Sequence, residues 1–355
     1  MANPRLEIDL GKIASNVRIL SKFYKSKGID ICVVTKVVCA NLEIAKTLVE
    51  SGVTLLADSK IVNLKKMSEG RINAQFLLIG TPKLSEASEI VKYATISLNS
   101  EMEVIRRLSH FALKMKKVHQ VILMVELGDL REGILPEDIE KIVKQILLLK
   151  GVKLVGLGTN LACFGGIKPT EEKMNKLGHI AEVIEKKFDL KLKFISGGNS
   201  ANYEWFSTTT DVGRINQLRI GESIFLGCEP IHRKPILKLS STAFTFLGEL
   251  TEIKVKPSMP YGQKGENAFG HYPVFKDQGM MERGIAGFGL QDVAVSGLTP
   301  HLKIDVLGEG SDHTLFNLKG NNLKVGDELK FNLNYEALLS AMTSPYVHKT
   351  YNFTK

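Results

Sequence analysis

Between residues 30 and 220 the chain alternates short apolar runs with segments of helical period, without a break. The runs are IDICVVTKV, TLLAD, AQFLLIG, TISLN, QVILMVEL, VKLVGLGTN, LKFISGG and NQLRI. Helical segments separate them at 42 to 51, 59 to 68, 84 to 93 and 100 to 116, from Pro136 to near Gly151, at 169 to 187, and briefly after Asn199. A further helix precedes the first run: residues 11 to 27 place Ile13, Val17, Ile19 and Leu20 on roughly one face and stop near Gly28. Strands that are apolar throughout must be covered on both faces, and helices alternating with them impose a parallel sheet. Eight such units in roughly 220 residues match a closed (β/α)8 barrel of the TIM type. A doubly wound open sheet is the structural alternative.

After about residue 228 the texture changes. STAFTFLGELTEIKV, HLKIDVLG, HTLFNL and ELKFNLN read as short strands separated by turn residues, with little helical period. The expected architecture is therefore α/β: a barrel over 11–227 and a C-terminal, mostly β domain over 228–355 joined by the N-terminal strand within residues 1–10. A chain of 355 residues is long enough for such a pair of domains, each with its own core.

Bulk properties exclude several roles. The net charge of +9 comes from lysines scattered along helical segments, such as Lys60, Lys65 and Lys66, without an aromatic-interleaved basic stripe, so nucleic acid is not the expected partner. Cys32, Cys39, Cys163 and Cys228 form no CxxC pair and have no histidine at zinc spacing, so neither a structural metal nor a disulfide framework is expected. MANPRLEIDLGK lacks the basic and apolar regions of a secretory leader, and no run reaches eighteen apolar residues. A cytoplasmic protein that does not enter the membrane is the expectation.

In a barrel of parallel strands, functional groups gather at the carboxyl ends. Those ends here carry Lys36, Asn99, the stretch GDLREG, Thr159 and Asn160, GGNS at 197 to 200, and RIGE at 219 to 222. Lys36 lies within VVTKVV, where a buried ammonium is costly unless it is consumed chemically, as in a Schiff base. The bland reading is a strand-end lysine whose amine reaches solvent. Asn199 and Ser200 open a segment whose N–H groups suit a phosphate, or serve as an ordinary helix cap. Arg219 leaves a strand just before Gly221, as a fixed anion donor or as half of a structural ion pair. Arg131 shares its loop with Asp129 and Glu132, which fits a site and equally a solvated turn.

Taken in order, VVTKVVC, LADS, LGDLREGI, GLGTNLACFGG, ISGGNS, LRIGE, LTPHLKIDVLG and NYEALLSAMTSPYV resemble the alanine racemase family over nearly the whole chain, and its ornithine racemase branch in particular. The resemblance implies a barrel that binds pyridoxal 5'-phosphate, a C-terminal β domain, and a head-to-tail homodimer acting on a small amino acid. It implies Lys36 as the cofactor lysine, Arg219 at the pyridine nitrogen, Arg131 near the phenolic oxygen and the substrate, and Ser200 with Gly221 at the phosphate. Asn160, Asn199 and Glu222 complete the implied cofactor shell, and Asp312 orients the substrate carboxylate.

Racemisation needs proton-transfer groups on both faces of Cα. Lys36 supplies one, and Tyr261, from the β domain of a second copy, is the implied other, with Cys163, His271, Tyr272 and His313 as competitors. Against the family pattern, Ala40 stands for a tyrosine, Asn160 for a ring-stacking histidine, Met124 for a modified lysine that supports Arg131, and Met342 near a phosphate tyrosine. These changes suit a substrate larger than alanine, with Asp129, Glu132 or Glu222 to neutralise a distal ammonium. The expected activity is ornithine racemisation. Alternatives are racemisation of alanine, lysine or another amino acid, decarboxylation or an aldol reaction on the same cofactor, and non-catalytic cofactor carriage.

Overall fold

The computed structural model describes residues 4–267 and 269–354, so the expected domain limits at residues 1 and 355 lie outside the described residues. The chain divides into two compact units, Lys12–Ser241 and a second made of Met1–Gly11 with Thr242–Lys355.

The chain opens with β1 (Arg5–Asp9), which belongs to the second unit, and α1 (Leu10–Lys25); in the first unit eight parallel strands form a ring. They are β2 (Asp30–Val34), β3 (Leu55–Asp58), β4 (Gln75–Leu78), β5 (Ile96–Asn99), β6 (His119–Met124), β7 (Val152–Gly158), β8 (Phe194–Ser196) and β9 (Gln217–Ile220). β9 pairs with β2 from Asp30↔Gln217 to Val33↔Ile220, which closes the barrel and removes the open-sheet alternative. Every residue of β3, β5 and β9 is buried, as strands covered on both faces require. Cys32, Ala57, Leu77, Leu98, Ile122 and Met124 belong to one core cluster.

The intervening helices are α2 (Leu42–Glu50), α3 (Ile61–Glu69), α4 (Ala87–Tyr93), α5 (Met102–Lys114), α6 (Ile139–Ile146), α7 (Glu171–Phe188), α8 (Tyr203–Thr208) and α9 (Glu222–Leu226). α5 shows why they form: Val104, Ile105, Leu108 and Ala112 make one buried stripe. Side-chain caps start α2 and α7, where Asn41 accepts the Ile44 N–H at 3.2 Å and Thr170 accepts that of Lys173 at 3.3 Å. α6 stops at Ile146 and not near Gly151, because Leu147 and Leu148, which extend the apolar pattern, are exposed on a turn.

Residues 228–241 stay with the barrel unit and not with the β domain. The reason is hydrogen bonding: Ile236 N donates to Gly227 O at 2.8 Å, and the fully buried Asn16 of α1 accepts Ser240 N at 2.8 Å while donating to Ile224 O at 2.9 Å.

The second unit contains β10 (Phe244–Pro257), β11 (Met280–Ala286), β12 (Leu298–Pro300), β13 (Asp305–Glu309), β14 (Thr314–Asn317), β15 (Glu328–Leu333), α10 (Tyr335–Thr343) and β16 (His348–Asn352). The strands run in the order β12-β15-β10-β11-β14-β13 and all these pairs are antiparallel. β1 adds antiparallel to β10 and parallel to β16. Phe246, Phe288, Phe316 and Phe331 are wholly buried together, with Phe246 and Phe288 edge to face at 5.0 Å. The domain is mostly β as expected, with two elements the sequence reading did not name. The segment NYEALLSAMT is helical, capped by Asn334 accepting Ala337 N at 2.9 Å and burying Ala337, Leu338, Ala341 and Met342. β11 escaped notice because Glu282 and Arg283 interrupt its apolar character.

Candidate active site at the carboxyl end of the barrel

β2 ends at Val34, and Lys36 begins a single 3-10 turn, Lys36–Val38, in which Val37 and Val38 are buried and Lys36 is exposed. Of the two readings of Lys36, the exposed strand-end lysine is the one the structure matches, its neighbours Val37 and Val38 taking the apolar side. The turn has a rigid base. Thr35 N donates to Ala57 O at 2.8 Å and its hydroxyl to Asp58 Oδ2 at 2.9 Å, while Asp58 Oδ1 accepts Lys60 N and Asn63 Nδ2, each at 3.0 Å. Asp58 is fully buried, and burial pushes its carboxyl above the usual range despite these donors. Beyond the turn, Cys39 and Ala40 adopt φ of 50° and 45°, and Ala40 is wholly buried.

Beside β2 in the ring, β9 presents Arg219, only 3% exposed. Its guanidinium donates to the Ser196 hydroxyl, to Thr159 O at 2.7 Å and to Asn160 Oδ1 at 3.4 Å. Burial pushes it down to about 10, so it remains a cation at neutral pH. Asn160 Oδ1 also accepts Asn199 Nδ2 at 3.1 Å. Asn199 is largely spent on the backbone, donating to Leu161 O at 2.9 Å and accepting Ala201 N at 2.8 Å as a cap. Next to it, the buried Ser200 hydroxyl receives the N–H groups of Gly221 and Ser223 over long distances, 3.3 and 3.5 Å. The Ser223 hydroxyl is buried without a partner. Two backbone N–H groups thus meet at the Ser200 hydroxyl, with the hydroxyl-bearing Ser223 adjoining them. Gly221 packs closely there, a Cβ lying a tight 3.0 Å from Val34 O. Glu222 turns its carboxylate to Arg233 in an ion pair.

β6 stands four strands from β2 in either direction around the ring, so Arg131 enters from the opposite side to Lys36. Its guanidinium pairs with Glu132 and donates to Cys163 Sγ at 2.6 Å. The Glu132 hydrogen bond holds Arg131 above its ordinary value despite burial. Met124, 1% exposed, packs in the barrel core, so Arg131 takes its support from Glu132 instead. Asp129, also 1% exposed, accepts the N–H groups of Phe164 at 2.9 Å and of Cys163 and Ile167 at 3.3 Å. Burial opposes its ionisation, but these donors outweigh it and keep the carboxyl low. Asp129 is a clasp between two loops and is withdrawn from the acids considered for a substrate ammonium.

Tyr261 and Asp312 belong to the second unit. Tyr261 is 92% exposed between β10 and β11, as are His271 and Tyr272 nearby to lesser degrees. Asp312, between β13 and β14, pairs with His313 Nδ1 at 3.1 Å, which holds its carboxyl low. Among the described residues, no group of three or more His, Cys, Asp or Glu is placed to hold a metal, and no helix is long and apolar enough to cross a membrane. Sequence reasoning missed Ser223, Asp58 and Arg233. Ser223 was within reach, two residues beyond Gly221 in LRIGES, whereas Arg233 carries no local signal.

The family model for the alanine racemase N-terminal domain matches residues 8–229. The chain belongs to the alanine racemase family. Within it, an ornithine racemase from Acetoanaerobium sticklandii is 37% identical over 98% of this chain and 99% of its own length. A lysine racemase from Thermotoga maritima is 37% identical over 99% of both. Among solved structures, the alanine racemase of Bartonella henselae with covalently bound pyridoxal phosphate superimposes with a TM-score of 0.75 at 15% identity, covering 99% of this chain and 100% of that one. At that identity the likeness concerns the fold.

Proposed function

We propose that this alanine racemase family member interconverts L- and D-ornithine with pyridoxal 5'-phosphate as cofactor. The carrying observation is 37% identity to an ornithine racemase along 98% of the chain. Equal identity to a lysine racemase supports a second reading, lysine, which shares the distal ammonium.

The residues at the carboxyl end of the barrel fit the cofactor. The partnerless Ser223 hydroxyl and the N–H groups of Gly221 and Ser223 beside Ser200 support a phosphate at this place. Ser200, Ser223 and the N–H of Gly221 would hold the phosphate, Lys36 would carry the covalent link, Arg219 would face the ring nitrogen, and Asn160 and Arg131 would flank the ring. When bound, the cofactor withdraws electrons from the bonds at Cα, chemistry that no side chain here supplies. Arg219 is a donor that does not readily surrender its proton, so it neutralises no ring charge beyond a hydrogen bond.

Lys36 holds or releases a proton at Nζ on one face of Cα. Tyr261, supplied by the second copy of a head-to-tail homodimer, does so at its phenolic oxygen on the other; its exposure within its own unit supports that role. Arg131 and Asp312 orient the substrate carboxylate. Of the acids considered for the distal ammonium, Glu132 is engaged by Arg131 through both oxygens and Glu222 pairs with Arg233, so neither is assigned to it. The enzyme works in the cytoplasm, where its four free cysteines stay reduced.

The test is chiral chromatography of L-ornithine after incubation with cofactor-loaded protein in heavy water, with L-lysine and L-alanine in parallel. D-Ornithine carrying α-deuterium is expected to form fastest. Bound cofactor with no exchange on any of the three would leave a carrier protein in place of a racemase.

A further inference from the structure

The segment from Cys228 to Pro235 leaves α9 and returns on itself, with Glu229 N donating to Lys234 O at 3.0 Å. Glu229, 5% exposed, fills the turn and accepts the N–H groups of Ile231 at 2.7 Å, His232 at 3.0 Å and Lys234 at 3.0 Å. Burial alone would raise its carboxyl, and these donors reverse the effect and hold it low. A buried carboxylate tied only to backbone stiffens the turn. Outside it, His232 Nε2 lies 2.9 Å from Lys168 Nζ and 3.7 Å from Glu204 Oε2. What the turn presents is Arg233, at a φ of 58°, whose guanidinium reaches Glu222.

Glu222 sits between Gly221 and Ser223, the two residues whose N–H groups converge on Ser200. Its side chain is 13% exposed. A poorly screened carboxylate beside a phosphate cradle repels a dianion, and only a matched cation removes the penalty.

We infer that Arg233 is a positioning residue that neutralises Glu222 and thereby sets this chain's affinity for the phosphate group of its cofactor. The inference rests on the cofactor reading above and adds a residue to it that lies outside the phosphate shell. It makes a charge argument and not a shape argument: the penalty arises only if Glu222 is ionised, Arg233 is absent and the ligand carries phosphate.

The experiment titrates the apoprotein with pyridoxal 5'-phosphate and, separately, with pyridoxal, which lacks the phosphate, and reads both dissociation constants by absorbance. Arg233→Met is expected to weaken the phosphorylated ligand about fivefold, the upper range for a partly exposed ion pair, and to leave pyridoxal unchanged. Glu222→Gln combined with Arg233→Met is expected to recover wild-type affinity for the phosphorylated ligand. Equal weakening of both ligands, no weakening at all, or no recovery in the double variant would overturn the inference. Wild-type protein that binds neither ligand would instead overturn the cofactor reading, and this inference with it.

Discussion

At the amino-terminal end of β6, His119 is 3% exposed and its Nε2 lies 2.8 Å from the hydroxyl of Ser97 in β5. At the carboxyl end, Lys36 is exposed, Arg131 is 38% exposed, and the Ser223 hydroxyl is buried with no partner. Both ends of the barrel carry polar side chains. His119 and Ser97 bond each other, and burial pushes His119 down to about 4, so it stays neutral. The carboxyl end instead leaves buried polar atoms without a partner, among them Asn99 Oδ1 and the hydroxyls of Thr159 and Ser223. A hollow alone does not mark the functional end: a cavity of about 370 Å³ lies at the amino-terminal side, lined by Lys25, Asp30, Thr54, Gln75, Lys193 and Gln217, but its rim charges Lys25 and Asp30 already pair at 2.7 Å.

The contrast can be broken in three places. Lys36→Ala should lower racemisation by roughly 10³-fold or more while shifting unfolding stability by less than about 0.5 kcal/mol, as expected of an exposed side chain with a chemical role. Chiral assay and urea unfolding on one preparation check both halves, and normal turnover would end the assignment of Lys36.

His119 should show the reverse. Its folded pKa lies below the ordinary 6.5, so the unfolded chain takes up the proton first as pH falls. Its contribution is complete above about pH 6.5 and is lost as pH falls toward the folded value, by about 3 kcal/mol in total. In His119→Gln this part of the pH slope should vanish from urea unfolding while racemisation at neutral pH persists. An unchanged slope would mean that His119 does not titrate with unfolding.

Asp129 sharpens the comparison, because it lies at the functional end but, like His119 and Ser97, is bonded within the protein. Asp129→Ala should cost about 2 kcal/mol by stranding N–H groups, and should accelerate iodoacetamide alkylation of Cys163 by loosening its loop. If the alkylation rate stays the same, the loop holds itself without the clasp.

The barrel was legible because its signal is periodic and local: strands such as LLAD and ISLN are apolar at every position and are buried at every position. The second unit was read less completely. β11 is broken by Glu282 and Arg283, and α10 is a nine-residue helix whose start is marked by a single cap, Asn334. Lys36, Arg219, Ser200 and Gly221 stood out because they follow strands. Asp129 and Glu132 looked alike in LGDLREGI, and only the loop carrying Cys163, Phe164 and Ile167 separates their roles.

By itself the sequence determined the alternation of strands and helices, hence which residues stand at carboxyl ends, since periodicity and strand direction depend on near neighbours in the chain. Tertiary structure decided which of those residues meet. The closure of β9 on β2, the convergence of Ser200 with Gly221 and Ser223, and the reach of Arg233 to Glu222 all join groups separated by ten residues or more. Such contacts are set by packing and by the need to satisfy buried polar groups, which no local pattern encodes.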